Sequence, residues 1–412
     1  MDDVLSIDTL AAVAAVSLLA ALVKGLFPKL AVPQVVLLLA GGIVLGPHVL
    51  DAGSAGDVQV LADVGLGFVF LLAGYELDLR LLGEAAGRRA VLAWGTSLAL
   101  ALLVVGALTA GGVVRDFLPV SLALTTTALG TLLPVLRDEG LLTGPLGRVL
   151  LATGGAGELL PVLAIAVFLG SQGRLAALAS LGAVAVLAGA LALLRHAVRD
   201  GSRLATVALA GQDETGQITL RGTVLLLVAL IAVTDQFHLD AVLGAFLAGV
   251  VLRRWVGPAA PQLEAKLDAV GYGFFVPVFF VSSGMALDLP AIADAPLRLV
   301  LFLVLMVAVR GGPALLVYRG LLPARQRVQA GLVSATALPV LVALTEIGLR
   351  SGTMLRENAA ALVGAGVVTV LVFPALTVSL ARRPVAGPPG PGRRPGARRR
   401  TGPAPPVRRG RG

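Results

Sequence analysis

Long apolar segments follow one another along almost the whole chain, and no other feature limits its possible folds as strongly. Runs of about 18 or more apolar residues are typical of helices that cross a lipid bilayer. Charged residues make up only 14% of the sequence, whereas a soluble domain contains about a quarter. The sequence therefore predicts an all-α polytopic membrane protein.

The apolar segments divide into about thirteen candidate transmembrane helices, whose ends are predicted to within a few residues. They are Thr9–Phe27, Pro33–Leu50, Val58–Leu79, Arg89–Gly112, Phe117–Leu136, Leu146–Gly170, Arg174–His196, Arg221–Thr234, Leu239–Leu252, Val270–Leu287, Pro296–Tyr318, Arg325–Leu349 and Glu357–Leu380. The eighth and ninth are short and are separated only by residues 235–238, so one kinked helix is the alternative. That alternative would change the parity of the count.

The distribution of basic residues predicts the orientation of the chain. With the N-terminus outside, inner loops and inner helix ends carry 17 Lys and Arg residues, and the C-terminal tail adds ten arginines. The outer side carries only five, namely Arg115, Arg174, Arg298, Arg350 and Arg356. Cytoplasmic loops are the basic ones in membrane proteins. We therefore expect the N-terminus outside and the C-terminus in the cytoplasm.

Short sequence matches recur at a nearly constant spacing. They pair Ala40–Gly46 with Phe246–Leu252, Gly74 with Gly284, and Thr125–Gly130 with Ser334–Pro339, at offsets of about 207, 210 and 209 residues. The spacing corresponds to seven helices, an odd number, so the two copies enter the membrane in opposite directions. Such inverted repeats are typical of secondary transporters. We expect two repeats, at about 9–170 and 221–380, within a membrane domain of residues 1–381.

The fifth and twelfth predicted helices both carry hydroxyl residues ahead of a helix-breaking residue. The hydroxyl candidates are Thr126, Thr127 and Thr336, and the breakers are Gly130, Pro134 and Pro339. A proline frees a backbone carbonyl, which must find another partner inside lipid. Broken helices expose such carbonyls and half-helix ends to ions. The alternative is a pair of kinked helices whose hydroxyls bond within their own turns.

One acid and one base lie deep in predicted helices. Glu158 is near the centre of Leu146–Gly170, among small residues that allow close backbone approach. Arg310 is the basic residue that falls well inside a predicted span. An ionisable group at bilayer depth indicates a functional site by default. Glu158 is therefore the expected site for a proton or a metal cation, with Arg310 as its countercharge. A static ion pair that locks two helices is the alternative.

These segments resemble the monovalent cation:proton antiporter-2 family, the bacterial sodium/hydrogen and potassium-efflux exchangers. The similar segments are LLLAGGIVLGP, FVFLLAGYELDL, LTTTALGTLLPVLRDEG, LDAVLGAFLAGVVL, FFVPVFFVSSGMALDL and LVSATALPVLVALTEIG. The resemblance implies a thirteen-helix inverted-repeat fold with crossed discontinuous helices, placed in a bacterial cytoplasmic membrane. It also implies an ion-binding acid on the sixth helix and a basic residue on the eleventh, which Glu158 and Arg310 match. The family usually has Gln-Asp or Asp-Asp on the sixth helix, where this chain has Gly157-Glu158.

The expected function is exchange of protons for a monovalent cation, Na⁺ or K⁺, by alternating access. Glu158 would hold either ion in turn, with Thr126, Thr127 and Thr336 as further cation ligands. Arg310 stays protonated, so one carrier remains and the exchange is expected to be electroneutral. The alternatives are an inactive or sensory protein of antiporter fold and a cation channel. An enzyme is not expected, because no predicted helix brings His near a nucleophile or a carboxylate at depth.

The expected partners are the cation, the proton, the lipid bilayer and a second copy of the chain in a homodimer. No cofactor, nucleotide or nucleic acid is expected, because the positive charge lies in loops and the tail and no strand–Gly-rich–helix unit follows the last span. The Arg/Pro/Gly-rich tail, residues 382–412, is predicted to be disordered and to lie on anionic lipid. Glu76 is interpreted as a solvated helix end. Glu346, near the outer end of the twelfth helix, is a weaker candidate for guiding cations.

Overall fold

The computed structural model describes residues 6–27, 32–168, 174–197, 217–237, 239–256 and 260–382, and these ranges contain helices and no strand. The helices are α1 (Ile7–Leu26), α2 (Gln34–Leu45), α3 (Gln59–Glu76), α4 (Leu79–Gly83), α5 (Ala85–Ala110), α6 (Phe117–Ala123), α7 (Leu129–Asp138), α8 (Gly144–Phe168), α9 (Arg174–Ala197), α10 (Ile218–Gln236), α11 (Ala241–Val256), α12 (Ala260–Val270), α13 (Val276–Met285), α14 (Leu289–Asp294), α15 (Pro296–Leu305), α16 (Gly312–Val317), α17 (Ala324–Ser334), α18 (Pro339–Arg350) and α19 (Arg356–Arg382). Two π-helical segments, Gly271–Phe275 and Met306–Gly311, join α12 to α13 and α15 to α16. Apart from its first residue, the predicted disordered tail lies outside the described residues.

The helices confirm the predicted class, an all-α multi-pass membrane protein. Each of the thirteen predicted spans contains a helix or a pair of helices in series. Within the described ranges, nine helical stretches are long and apolar enough to cross a membrane. The number of crossings therefore stays a prediction. The eighth and ninth spans are two separate helices, α10 and α11, which pack against each other rather than forming one kinked helix.

The helices pack around two large hydrophobic cores. The first bundle, α1–α3 with α10–α13, surrounds buried residues such as Phe68, Phe246 and Phe279. The second bundle, α5–α8 with α15–α19, surrounds residues such as Phe302 and contains smaller clusters of its own. Residues of α8 and α18 also contribute to the core of the first bundle. These two helices therefore form much of the interface between the bundles.

Two close helix crossings support the predicted inverted repeat. A Cβ on Gly42 of α2 would collide with the backbone of α13 at Val281 and Gly284, and a Cβ on Gly249 of α11 would collide with the backbone of α3 near Gly74. Small residues allow such close packing of membrane helices. The predicted repeat relates Gly42 to Gly249 and Gly74 to Gly284. It therefore maps the crossing of α2 with α13 onto the crossing of α11 with α3, and the reverse. Two copies related by a pseudo-twofold axis require this exchange, while the repeat boundaries stay a prediction.

Candidate functional site

The fifth and twelfth predicted helices are interrupted in the middle. Residues 124–128 separate α6 from α7, and residues 335–338 separate α17 from α18. The two interruptions touch, because the N–H of Ala128 donates to the carbonyl of Thr336 at 2.8 Å. The hydroxyl of Thr127 also donates to the carbonyl of Ser334 at 2.6 Å. Some of the backbone groups released by one break are thus satisfied by the other break, as lipid surroundings require of polar backbone groups.

The breaker residues differ in their positions relative to these interruptions. Pro339 is the first residue of α18, where its missing N–H costs no intrahelical bond. Gly130 lies in the first turn of α7, but Pro134 lies in the interior of α7 and does not form the break. Pro134 thus follows the break, and its predicted role in freeing a backbone carbonyl stays a prediction. The hydroxyls of Thr125 and Thr126 donate to carbonyls three residues earlier, at 2.7 and 2.8 Å, and cap the end of α6 before Pro134 is reached.

Glu158 belongs to α8, and its carboxylate lies at the N-terminus of α7. Its Oε1 accepts hydrogen bonds from the N–H groups of Leu129, at 2.7 Å, and Gly130, at 3.3 Å. The side chain is 5% exposed. The first N–H groups of a helix have no intrahelical partner and carry its positive dipole end, which stabilises an anion there. The half-helix α7 therefore supplies the positive partner of this buried carboxylate.

Glycines of α8 bring Glu158 to the break. A Cβ on Gly154 would collide with the side chain of Leu129, and the carbonyl of Gly157 accepts the N–H of Thr127 at 2.9 Å. A Cβ on Gly157 would collide with both the Thr127 side chain and the guanidinium of Arg310. The small residues of α8 thus allow α6, α7 and Arg310 to approach its backbone closely.

Arg310 is buried, 1% exposed, in the π-helical segment Met306–Gly311. Its Nε donates to Oγ1 of Thr127 at 3.0 Å, and its Nη2 donates to the carbonyl of Thr153 at 3.4 Å. The ion pairs formed by described residues do not include one between Arg310 and Glu158. The predicted role of Arg310 as a countercharge therefore stays a prediction, and in this conformation the Glu158 carboxylate faces the N-terminus of α7. Arg310 tethers the π-helical segment between α15 and α16 to the crossing of the two breaks.

The three predicted hydroxyl ligands are all buried near the crossing, with different partners. Thr126 donates to Ala123 and Thr336 donates to Leu332, each within its own helix turn. Thr127 alone bridges the two breaks and also accepts from Arg310. A hydroxyl that donates its hydrogen keeps lone pairs that can bind a cation. The structure thus brings Thr127 into the network around Arg310, while Thr126 and Thr336 follow the alternative of bonding within their turns.

Glu76, interpreted from the sequence as a solvated helix end, is a further candidate site residue. It ends α3, and a Cβ on Gly130 would lie 3.0 Å from its Oε2. Since Gly130 also donates to Glu158, the two carboxylates lie against the same residue and their charges interact. Within the described ranges, no hydrogen bond reaches the Glu76 carboxylate. The interpretation of Glu76 as a solvated helix end missed this contact, since nothing near it in sequence indicates that it faces the break in another helix.

Comparisons with known proteins agree with this architecture. The family described as sodium/hydrogen exchanger, transmembrane, matches residues 15–383. Glutathione-regulated potassium-efflux system protein KefC of Enterobacter is 30% identical over 75% of this chain and 50% of its own length. Cation/H(+) antiporter 17 of Arabidopsis thaliana is 27% identical over 89% of this chain and 47% of its own length. The chain thus spans about half the length of the curated relatives that it matches.

A solved structure shows the same fold. The sodium proton antiporter MjNhaP1 of Methanocaldococcus jannaschii superposes with a TM-score of 0.62 at 17% identity, covering 90% of this chain and 96% of that one. This likeness concerns the fold, whereas the family match covers most of the sequence and includes both helix breaks, Glu158 and Arg310. The chain belongs to the sodium/hydrogen exchanger family.

Proposed function

We propose that the chain exchanges protons for Na⁺ or K⁺ across the membrane by alternating access, with Glu158 as the carrier of either ion. The observation that carries the proposal is a buried carboxylate at the start of a half-helix, where two discontinuous helices cross. Discontinuous helices at the interface of inverted repeats form the substrate sites of secondary transporters. The relatives named as cation/H(+) antiporters and as a potassium-efflux system support the same pair of ions.

Competition at one carboxylate couples the two ions. An ionised Glu158 offers oxygen lone pairs to a cation, and a protonated Glu158 does not. Its Oε1 is anchored by Leu129 and Gly130 in either case, so loading by a proton or by a cation leaves the anchoring of the side chain intact. The site then returns across the membrane with one ion or the other, and this obligatory loading is what makes transport an exchange.

Glu76 is proposed as a second cation ligand. It belongs to the first bundle, Glu158 belongs to the second, and both lie against Gly130. A cation between two carboxylates offsets their mutual repulsion, whereas a proton on Glu158 removes that repulsion without using Glu76. Cation affinity should therefore depend on Glu76 more strongly than proton release does.

The Glu76→Gln variant should raise the apparent KM for the cation about tenfold, with a smaller change in maximal rate. The measurement is cation-dependent proton flux in proteoliposomes over a range of Na⁺ and K⁺ concentrations. Asp78→Asn is the matched control, because Asp78 lies two residues away and only caps the next short helix through the N–H of Arg80. An unchanged KM in Glu76→Gln, or an equal change in Asp78→Asn, contradicts the role.

The exchange is proposed to be electroneutral, one proton for one cation. Arg310 keeps its proton and is held by Thr127 and Thr153, so it does not act as a second proton carrier. We expect the flux in proteoliposomes to be insensitive to an imposed membrane potential. A cation-dependent current on a supported membrane that disappears in Glu158→Gln contradicts this stoichiometry. If the current disappears in Glu76→Gln while flux persists, Glu76 carries a second proton.

The orientation and the assembly are proposed from the sequence. The basic loops favour the N-terminus outside and the C-terminus in the cytoplasm. A reporter fused to the C-terminus should be active only in the cytoplasm, and labelling of the tail from outside intact cells would contradict this orientation. The homodimer stays a prediction that the single chain of the structure does not test.

A further inference from the structure

A second group of charged residues lies at the opposite end of α3 from Glu76. Asp63 is near the start of α3, and Arg350 is the last residue of α18. Nη2 of Arg350 donates to Oδ1 of Asp63 at 2.5 Å and to Oε1 of Glu346, one turn earlier in α18, at 2.6 Å. At 1.5 Å per residue, Asp63 and Glu76 are about 20 Å apart along α3. This group therefore lies near the membrane face opposite to the one that Glu76 approaches.

The group connects the two bundles. Asp63 belongs to the first bundle, whereas Glu346 and Arg350 belong to α18 of the second. Ser283 of α13, in the first bundle, donates to Oε2 of Glu346 at 3.5 Å, and the charge of Arg350 also attracts Asp240, just before α11. Two elements of the first bundle, α3 and α13, thus contact the end of α18 through polar groups.

The remaining ion pair among the described residues differs in this respect. Arg298 and Glu357, 2.6 Å apart, join α15 to α19 within the second bundle. A movement of one bundle against the other leaves that pair intact, whereas it breaks the bridge from Arg350 to Asp63. The ion pair of Arg350 with Asp63 therefore forms only when the two bundles are in contact at this face.

The ion pair of Arg350 with Asp63 is exposed to solvent, as expected of a contact that breaks and re-forms in every transport cycle. The side chains of Arg350 and Asp63 are 44% and 45% exposed. Exposed ion pairs shift an equilibrium by about fivefold or less. A buried pair would hold the bundles far more strongly, because breaking it leaves uncompensated charges. The bridge biases the closed arrangement without locking it.

We propose that Arg350, bound to Asp63 and Glu346, is the gate that closes the passage to Glu158 from this face. The proposal rests on the alternating-access function above. In the closed arrangement Arg350 places a positive charge across the entrance. When the bundles separate, Arg350 stays with Glu346 on α18, and Asp63 loses Arg350 and faces the opened passage. The entrance then offers the Asp63 carboxylate to an arriving cation.

The gate can be tested by the accessibility of a single cysteine, because the chain contains no natural cysteine. Val342 is 2% exposed, packs with the core of the first bundle, and lies four residues before Glu346 on the same face of α18. Val342→Cys therefore places a thiol directly beneath the gate. Its modification rate by a small charged thiol reagent is measured on the full chain in nanodiscs, where both membrane faces are accessible.

Arg350→Gln should raise the modification rate by up to about fivefold, and Asp63→Asn should raise it similarly. The double variant, with Arg350→Gln and Asp63→Asn together, should have a rate close to that of either single variant, since each change already removes the same ion pair. Arg298→Gln, which removes the pair inside the second bundle, should leave the rate unchanged, and Arg350→Lys should fall between the parent and Arg350→Gln. Arg350 and Asp63 have exposed side chains, so their variants test the gate without disturbing the core.

Equal rates in the parent, Arg350→Gln and Asp63→Asn overturn the gate, as does an equal increase in Arg298→Gln. This readout needs no transport, so it separates the gate from the proposed function. Raised accessibility in Arg350→Gln together with normal exchange by Glu158→Gln would support the gate and overturn the function. Unchanged accessibility with loss of exchange in Glu158→Gln would overturn the gate alone.

Discussion

Replacing Glu158 with glutamine should abolish cation-driven proton flux while the protein still folds and inserts. Glutamine has nearly the same shape, and its side-chain carbonyl can accept the N–H groups of Leu129 and Gly130 as the carboxylate does. It cannot bind and release a proton, and it lacks the charge that attracts a cation. We expect the flux in proteoliposomes to fall at least about a hundredfold, to the background of empty vesicles.

The glutamine variant also separates transport from a structural role. If Glu158 only anchors α8 to the start of α7, glutamine preserves that anchor and exchange should stay near normal. Glu158→Ala removes the anchor as well, so its loss of activity does not distinguish the two roles. Glu357→Gln is the control, because Glu357 is exposed in the first turn of α19. Normal flux in Glu158→Gln, with thermal stability like that of the parent, contradicts the carrier role.

The parts of this molecule that the sequence predicts are those with a local or periodic signal. Apolar segment length indicates the helices, and the spacing of Gly42 and Gly249 indicates the repeat whose crossings the structure contains. The hydroxyl residues indicate helix interruptions, since they bond to nearby carbonyls of their own chain. Each of these signals lies within one segment or repeats at a fixed distance.

The partners of the buried charges have no such local signal. Glu158 is anchored by an N–H group 29 residues away, and Glu76 approaches a glycine more than fifty residues later in the chain. A charge in a membrane span predicts that some partner exists, but not whether it is a side chain or the end of a half-helix. The sequence therefore predicts Arg310 as a countercharge, whereas the hydrogen-bonding partners of Glu158 in the structure are the free N–H groups at the start of α7.

The side chains of Thr127 and Arg310 crowd Gly157, so a substitution at this residue should strongly impair transport. It lies next to Glu158, where its carbonyl accepts the N–H of Thr127. A Cβ there would collide with Nη2 of Arg310 and with Oγ1 and Cβ of Thr127, two groups held by other hydrogen bonds. Neither group can move without breaking the hydrogen bonds that join the crossing to the π-helical segment of Arg310. Added methyl groups in such tight sites cost about 1–3 kcal/mol.

We therefore expect Gly157→Ala to lower the exchange rate at least about tenfold and to lower thermal stability, measured on the same purified samples. Gly155→Ala is the matched control on the same helix, since a Cβ there meets only a terminal methyl group of Leu77, which can rotate away. It should keep most of the exchange activity. Equal activity in the two variants would show that the packing of Arg310 and Thr127 against α8 does not limit transport. A loss confined to Gly157→Ala would show that this chain needs glycine beside its acid because the guanidinium of Arg310 occupies the space of a side chain.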